Sequence, residues 1–474
     1  MSQPRSHAET RLETQKLGAL QIRVLLLCTL AQIFDGFDIS SISMAVPALI
    51  KTWGLPGAAF ANTFVMSSVG IMLGALASGP MGDRVGRKPV LVASLVVLGV
   101  SSLACTRVAS VTDLVMLRLI TGIGIGMLLP ATVALSSDYL PERLRAGGIM
   151  VVFTGAPLGG FAGGMLVSQL LPIYGWTAIF WIGGILPLVL LPIVLLRLPE
   201  SPRFLLAKGS LNENGARLMG QLGIDLNTPR QHVDVTNDNP ISGLFRVGLA
   251  ATTILIWIIF FSNLLSMYLI GYWMPTVLSL SGLSAADAVF ASALRDAGPL
   301  VSVFLIAPLS TNFGAANVLR VTLFLGIIFI ALVGLAALPY VALLTVIFLV
   351  GCCTVGSQTG LNGMTGALYP ARIRNTGMAW ALGVGRLGAI AGPWLGGVLL
   401  TMGLPPRHIF LVACVTAAIA TVAVICLGFT TRRRGAGPVQ DGARTETDPH
   451  RAWRGAAVAT TVLSPPSGHR HVGD

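Results

Sequence analysis

Three observations predict an all-α membrane protein built from two six-helix halves: twelve apolar spans, basic residues gathered in alternate loops, and a loop motif repeated at a fixed offset. Of the 474 residues, 54% are hydrophobic and 11% charged, and mean hydropathy is +0.79. A soluble domain carries about 25% charge. A run of about 20 apolar residues crosses a hydrocarbon core of roughly 30 Å, and such runs recur along the whole chain.

Residues 1–21 are polar and mixed in charge, and the following span is too long for the core of a cleaved targeting signal, so they are read as a cytoplasmic N-terminal segment. Span one, 22–50, is interrupted by Asp35 and Asp38. Span two, 60–81, runs into a loop holding Asp83, Arg84, Gly86, Arg87 and Lys88, after which span three covers 89–106. Span four, 113–136, carries Arg118 among closely spaced glycines; spans five and six occupy 147–172 and 176–196. The N-terminal bundle is thus 22–197, and the polar stretch 198–245 is a cytoplasmic loop to the second bundle, 246–430. Its spans lie at 247–275, 285–309, 318–338, 341–368, 376–402 and 408–430. From 431 to 474 the chain is rich in Arg, Gly, Pro and Thr without periodicity, the composition of a disordered cytoplasmic tail.

Charge placement gives the orientation. With both termini cytoplasmic, inner loops and tails hold Arg84, Arg87, Lys88, Arg143, Arg145, Arg203, Lys208, Arg372 and Arg374, while the outer loops keep only Lys51, Arg107 and Arg407. That asymmetry is the positive-inside signature. The formal net charge of +12 therefore orients the chain in an inner membrane and implies no nucleic-acid partner. All six cysteines fall within spans, where packing is their expected role.

A repeat divides the chain. Pro141, Arg143, Arg145 and Gly148 follow span four, and Pro370, Arg372, Arg374 and Gly377 follow span ten, both spelling P-x-R-x-R-x-x-G at an offset of 370 − 141 = 229. The same offset carries Leu158, Gly159 and Gly163 onto Leu387, Gly388 and Gly392. Transporters made of two parallel halves place substrate near the midplane between them.

Residues 79–88 resemble the G-x-x-x-D-R-x-G-R-K signature of the major facilitator superfamily, and Arg118, Gly122, Gly124 and Gly126 resemble its R-x-x-x-G-x-G-x-G pattern. The D-G-F-D of residues 35–38, with Trp380, Arg386 and the glycine-rich run to Gly397, is similar to the aromatic acid:proton symporters. The resemblance implies alternating access, and a latch of the outward-facing state formed by Asp83, Arg84, Gly86, Arg87 and Lys88 with Arg143 and Arg372. The expected partner of Asp83 is the start of span eleven near Asn375.

Acids in a bilayer are costly, about 2.5 to 3.5 kcal/mol each on insertion scales, and serve ion or substrate pathways when present. Asp35 and Asp38, three apart, share a helix face and would titrate as a coupled unit; with Asp296 they are the proton-coupling candidates. A guanidinium binds a carboxylate through two parallel hydrogen bonds, so Arg386 and then Arg118 are candidates for an aromatic acid. Arg386 stands at the position the repeat assigns to Pro157, an asymmetric addition. Arg295 with Asp296 reads as an adjacent pair serving itself or its neighbours. Phe34 and Trp380 could cradle a ring, and Asn263, Gln358 and Asn362 could read ring substituents; Tyr174, Trp176, Tyr272 and Trp273 read as interfacial belt residues. Intramembrane charge sums to zero, so one protonated Asp leaves +1 for a substrate carboxylate to cancel.

One loop departs from the pattern: residues 309–314 between spans eight and nine carry no charge where the family commonly repeats an Asp-Arg signature. The reading that follows is a monomeric symporter importing hydroxybenzoate- or protocatechuate-like acids with a proton, without cofactor or metal. Another organic acid, drug export by the same superfamily, or a non-transporting membrane sensor are the alternatives. No nucleophile–base set, metal cluster or phosphate loop favours an enzyme.

Overall fold

A computed structural model describes residues 18–208, 244–245, 249–370 and 373–435. Arg372 and most of the predicted central loop and tail lie outside the described residues. Twelve long helices follow one another: α1 Ala19–Trp53, α2 Ala61–Val85, α3 Arg87–Cys105, α4 Val111–Tyr139, α5 Glu142–Tyr174 and α6 Thr177–Arg197, then α7 Ala250–Leu280, α8 Ala285–Phe313, α9 Ala315–Leu335, α10 Tyr340–Leu368, α11 Arg374–Thr401 and α12 His408–Gly435. Eleven have the length and apolar composition to cross a membrane. The exception is α1, whose interior holds Asp35 and Asp38; its neighbours α4, α5, α6 and α7 surround it. The helices extend the predicted spans by a few residues at most ends. The uncharged predicted loop at 309–314 is largely helix: α8 runs to Phe313, and Gly314 alone, at φ 82°, separates it from α9.

Glycines explain how each half is packed internally. A side chain at Gly159 of α5 would put its Cβ 1.8 Å from the Ile33 carbonyl oxygen of α1, and one at Gly388 of α11 would sit 2.2 Å from that of Phe261 in α7. These contacts are the repeat in three dimensions, since 388 − 159 = 229 and 261 − 33 = 228. Gly122 of α4 against α2 and Gly351 of α10 against α8 make a second such pair. Without water to drive association, membrane helices pack through small residues that admit close backbone approach.

Between the halves, α2 meets α11, α5 meets α8 and α1 meets α7. On the face where α1 begins and α12 ends, the terminal face, each half keeps its own apolar core, Leu91, Leu135 and Val194 in one and Leu319, Leu361 and Leu427 in the other. On the far face one core spans both halves. There Phe64 stacks on Tyr272 at 4.9 Å and meets Trp273 edge-on at 5.0 Å, while the Trp273 indole N–H donates to the Pro393 carbonyl at 3.0 Å. The molecule is therefore closed on the far face and divided on the terminal face. Tyr272 and Trp273, expected at the interfacial belt, are instead buried in this seam. Trp176 packs on Trp53 and Phe180, whereas Tyr174 is exposed.

Candidate functional site

A cavity of about 230 Å³ lies on the seam, enclosed by α1, α5, α7, α8 and α10. Its walls are mostly apolar or hydroxylic, including Ile39, Met44, Met267, Tyr268 and Tyr272, and its charged side chains are Arg295 and Asp296. Ligand pockets for drug-sized molecules run from about 300 to 1,000 Å³, so this space suits something smaller, of the order of one substituted ring.

Arg295 donates from Nε at 3.1 Å and from Nη2 at 2.6 Å to the same oxygen, Asp296 Oδ1. The other oxygen, Oδ2, accepts from Ser40 of α1 at 3.2 Å, joining the two halves beside the cavity. Glycine makes room on both sides of the pair: a Cβ at Gly271 would lie 2.5 Å from Arg295 Nη1, and one at Gly160 would lie 2.5 Å from Asp296 Oδ2. The pair expected to serve only itself or its neighbours is thus also the polar end of the cavity.

Asp35 and Asp38 share a helix but not an environment. Asp38 is fully buried in the N-terminal half, accepting from Ser102 at 2.6 Å and from Arg118 Nη1 at 3.4 Å. Arg118 also donates to Ser41 Oγ at 3.2 Å and places its guanidinium carbon 4.9 Å from the centre of the Phe180 ring. Neither Asp38 nor Arg118 lines the cavity. Asp35 is buried, and its Oδ1 has no hydrogen-bond partner among the described residues.

Other expected contacts do not line the cavity. Arg386 donates to the Tyr268 hydroxyl at 3.2 Å and so touches the cavity through that residue. Asn263 donates to Gln358 at 2.7 Å and Gln358 to Asn362 at 3.1 Å, an amide chain linking α7 and α10 outside the cavity lining. Trp380 is 41% exposed and stacks on Trp257 at 5.7 Å; Phe34 packs against the N-terminal half's own core.

The basic loop pairs within its own half. Asp83 pairs with Arg87 at 2.9 Å and is 72% exposed, and Asn375 is exposed as well, so the two do not latch while the terminal face is divided. Arg87 donates to the Gly82 carbonyl at 2.6 Å and Lys88 to that of Leu195 at 2.8 Å, while Arg84 and Arg143 are exposed. Glu200, which the sequence reading left without a role, caps α3: its Oε1 accepts from the backbone N–H groups of Arg87 at 2.9 Å, Lys88 at 3.1 Å and Ser201 at 2.8 Å. Gly86 is required there twice, by its φ of 107° and by Glu200 Oε2, which would lie 2.3 Å from a Cβ.

The sequence profile of the Major Facilitator Superfamily matches residues 28–298 and 256–466. The chain belongs to this superfamily. It is 34% identical over 427 residues to the 4-hydroxybenzoate transporter PcaK of Pseudomonas aeruginosa, covering 89% of this chain and 95% of that one. A gallate transporter of Pseudomonas putida is 34% identical over 426 residues, with the same coverage. Among solved structures, a bacterial homolog of the human lysosomal transporter Spinster, inward-facing and unoccupied, gives a TM-score of 0.70 at 16% identity, covering 88% of this chain and 99% of that one. The inward-open xylose transporter XylE of E. coli gives 0.64 at 16% identity, covering 86% and 95%. At that identity the likeness carries the fold alone, and the superfamily fold is the two-bundle arrangement described above.

Proposed function

We propose that this superfamily member is a proton-coupled symporter that imports hydroxylated aromatic carboxylates across the inner membrane by alternating access, working as a monomer. The observation that carries the reading is the one-ring cavity on the seam, with a cation and an acid at its polar end, in a chain whose relatives are named for 4-hydroxybenzoate and gallate. The excess of basic residues beside the terminal face makes that face cytoplasmic, so the described state opens inward. Transport then needs the seam at Phe64, Tyr272 and Trp273 to part while the terminal face closes and brings Asp83 towards the start of α11.

Proton coupling rests on the buried acids. Leaving a carboxylate buried without a partner costs several kcal/mol, a cost that a bound proton removes; Asp35, with its unpartnered Oδ1, fits that role. Asp38, held by Arg118 and two serines, couples α1 to α3 and α4 instead.

The test is counterflow of labelled 4-hydroxybenzoate in proteoliposomes, challenged with unlabelled competitors. Competition by protocatechuate and gallate, with none from succinate or a cationic drug, is the expected result. Counterflow driven equally by non-aromatic acids would overturn the substrate class.

A further inference from the structure

We infer that Arg295 is the anchor for the substrate carboxylate and that Asp296 occupies that anchor when substrate is absent, to be displaced and protonated when it arrives. This deepens the proposed function and rests on it.

The geometry is that of a built site with a removable plug. Arg295 is the cation lining the cavity, yet Nε and Nη2 are both spent on one oxygen of its sequence neighbour. Its Nη1, lodged against Gly271, makes no hydrogen bond among the described residues. A planar guanidinium offers two parallel donors to a carboxylate, and a pair converging on a single oxygen leaves that capacity half used. Asp296 does not depend on Arg295 alone: Ser40 already holds its second oxygen. Arg386, by contrast, spends Nη1 on the Tyr268 hydroxyl and stands behind it.

Charge balance gives the order of events. The resting pair is neutral. A monoanion entering by itself would leave the cavity at −1 in surroundings of low dielectric, which is costly. If the substrate carboxylate takes Nε and Nη2 of Arg295, and the freed Asp296 takes one proton delivered from the aqueous phase while keeping Ser40, neutrality is restored. The one bond formed is the O–H on Asp296, broken again when the anion leaves; this proton travels with the anion in addition to the one assigned to Asp35. Among groups packed around Asp296, the titratable or charged ones that share its cavity are Arg295, Tyr268 and Tyr272; α1 presents Ser40, α5 presents Pro157 and α10 presents Val355.

The deciding experiment measures equilibrium binding of 4-hydroxybenzoate, and of neutral 4-hydroxybenzamide, to the purified full-length protein from pH 5 to 8. Proton uptake on binding is followed in weak buffer. D296N keeps a partner for Ser40 but meets Arg295 only as a neutral acceptor. It is expected to bind the carboxylate about tenfold more tightly than wild type, to take up one proton fewer per anion bound, and to leave the amide's affinity unchanged. A gain in affinity cannot come from damage to the fold. R295Q is expected to lose about a hundredfold for the carboxylate and little for the amide. Carboxylate binding that is unchanged in R295Q but lost in R386Q, or weakened in D296N, would overturn this assignment while leaving aromatic acid transport standing. Failure of the wild-type protein to bind any aromatic acid would instead overturn the proposed function.

Discussion

Arg118 of α4 and Asp38 of α1 form an ion pair at 3.4 Å with 1% and 0% of their side chains exposed, wholly inside the N-terminal half. Breaking a buried pair from one side strands the remaining charge, at about 3 to 5 kcal/mol. R118Q and D38N are therefore each expected to lower the melting temperature in detergent sharply, and the double variant to lose less than the sum of the two. Additive losses would show that the two charges are not partners.

Asp35 behaves differently, because its Oδ1 has no hydrogen bond to lose. D35N is expected to retain the wild-type melting temperature and substrate counterflow while failing to accumulate substrate under a proton gradient. Measuring both transport modes in the same liposomes checks this. Full proton-driven accumulation by D35N would remove Asp35 from the proton path.

The repeated glycines set a third expectation. G159A and G388A each drive a methyl group into a neighbouring carbonyl, at 1.8 and 2.2 Å, and overpacking of this kind costs about 1 to 3 kcal/mol or more. Both variants should show reduced melting temperature and reduced transport. G363A and G383A, where nothing lies within 4 Å, should match wild type on both measures.

These contacts also show what the sequence makes legible. Helix positions follow from apolar length, and the 229-residue offset marks Gly159 and Gly388 as equivalent before any coordinates exist, because close helix approach demands a small residue wherever the fold repeats. Which face of a helix lines a cavity is far less visible. In a bilayer both the lipid-facing and the packed faces are apolar, so periodicity does not separate them. That is why Arg386 and Trp380, conspicuous in the sequence, lie behind or beyond the cavity, while Tyr268 and Ser40 line it unannounced. The pairing of Asp38 with Arg118 rather than with Asp35 is equally invisible, since it joins residues 80 apart through tertiary packing.

The far-face seam predicts a change in exposure. The stack of Phe64 on Tyr272 is worth about 0.5 to 1.5 kcal/mol beyond its buried area, so F64A is expected to raise the population open on that face by about two- to tenfold. The readout is labelling by an impermeant thiol reagent of a cysteine placed at Ser43, which lines the cavity, in right-side-out vesicles. Unchanged labelling would mean that other contacts close the far face.

The most direct test of the central claim is accumulation of labelled 4-hydroxybenzoate in proteoliposomes under an inwardly directed proton gradient, with and without a protonophore. Proton-coupled symport predicts uptake above the external concentration that collapses when the protonophore is added. Uptake that merely equilibrates, and is indifferent to the protonophore, would contradict it.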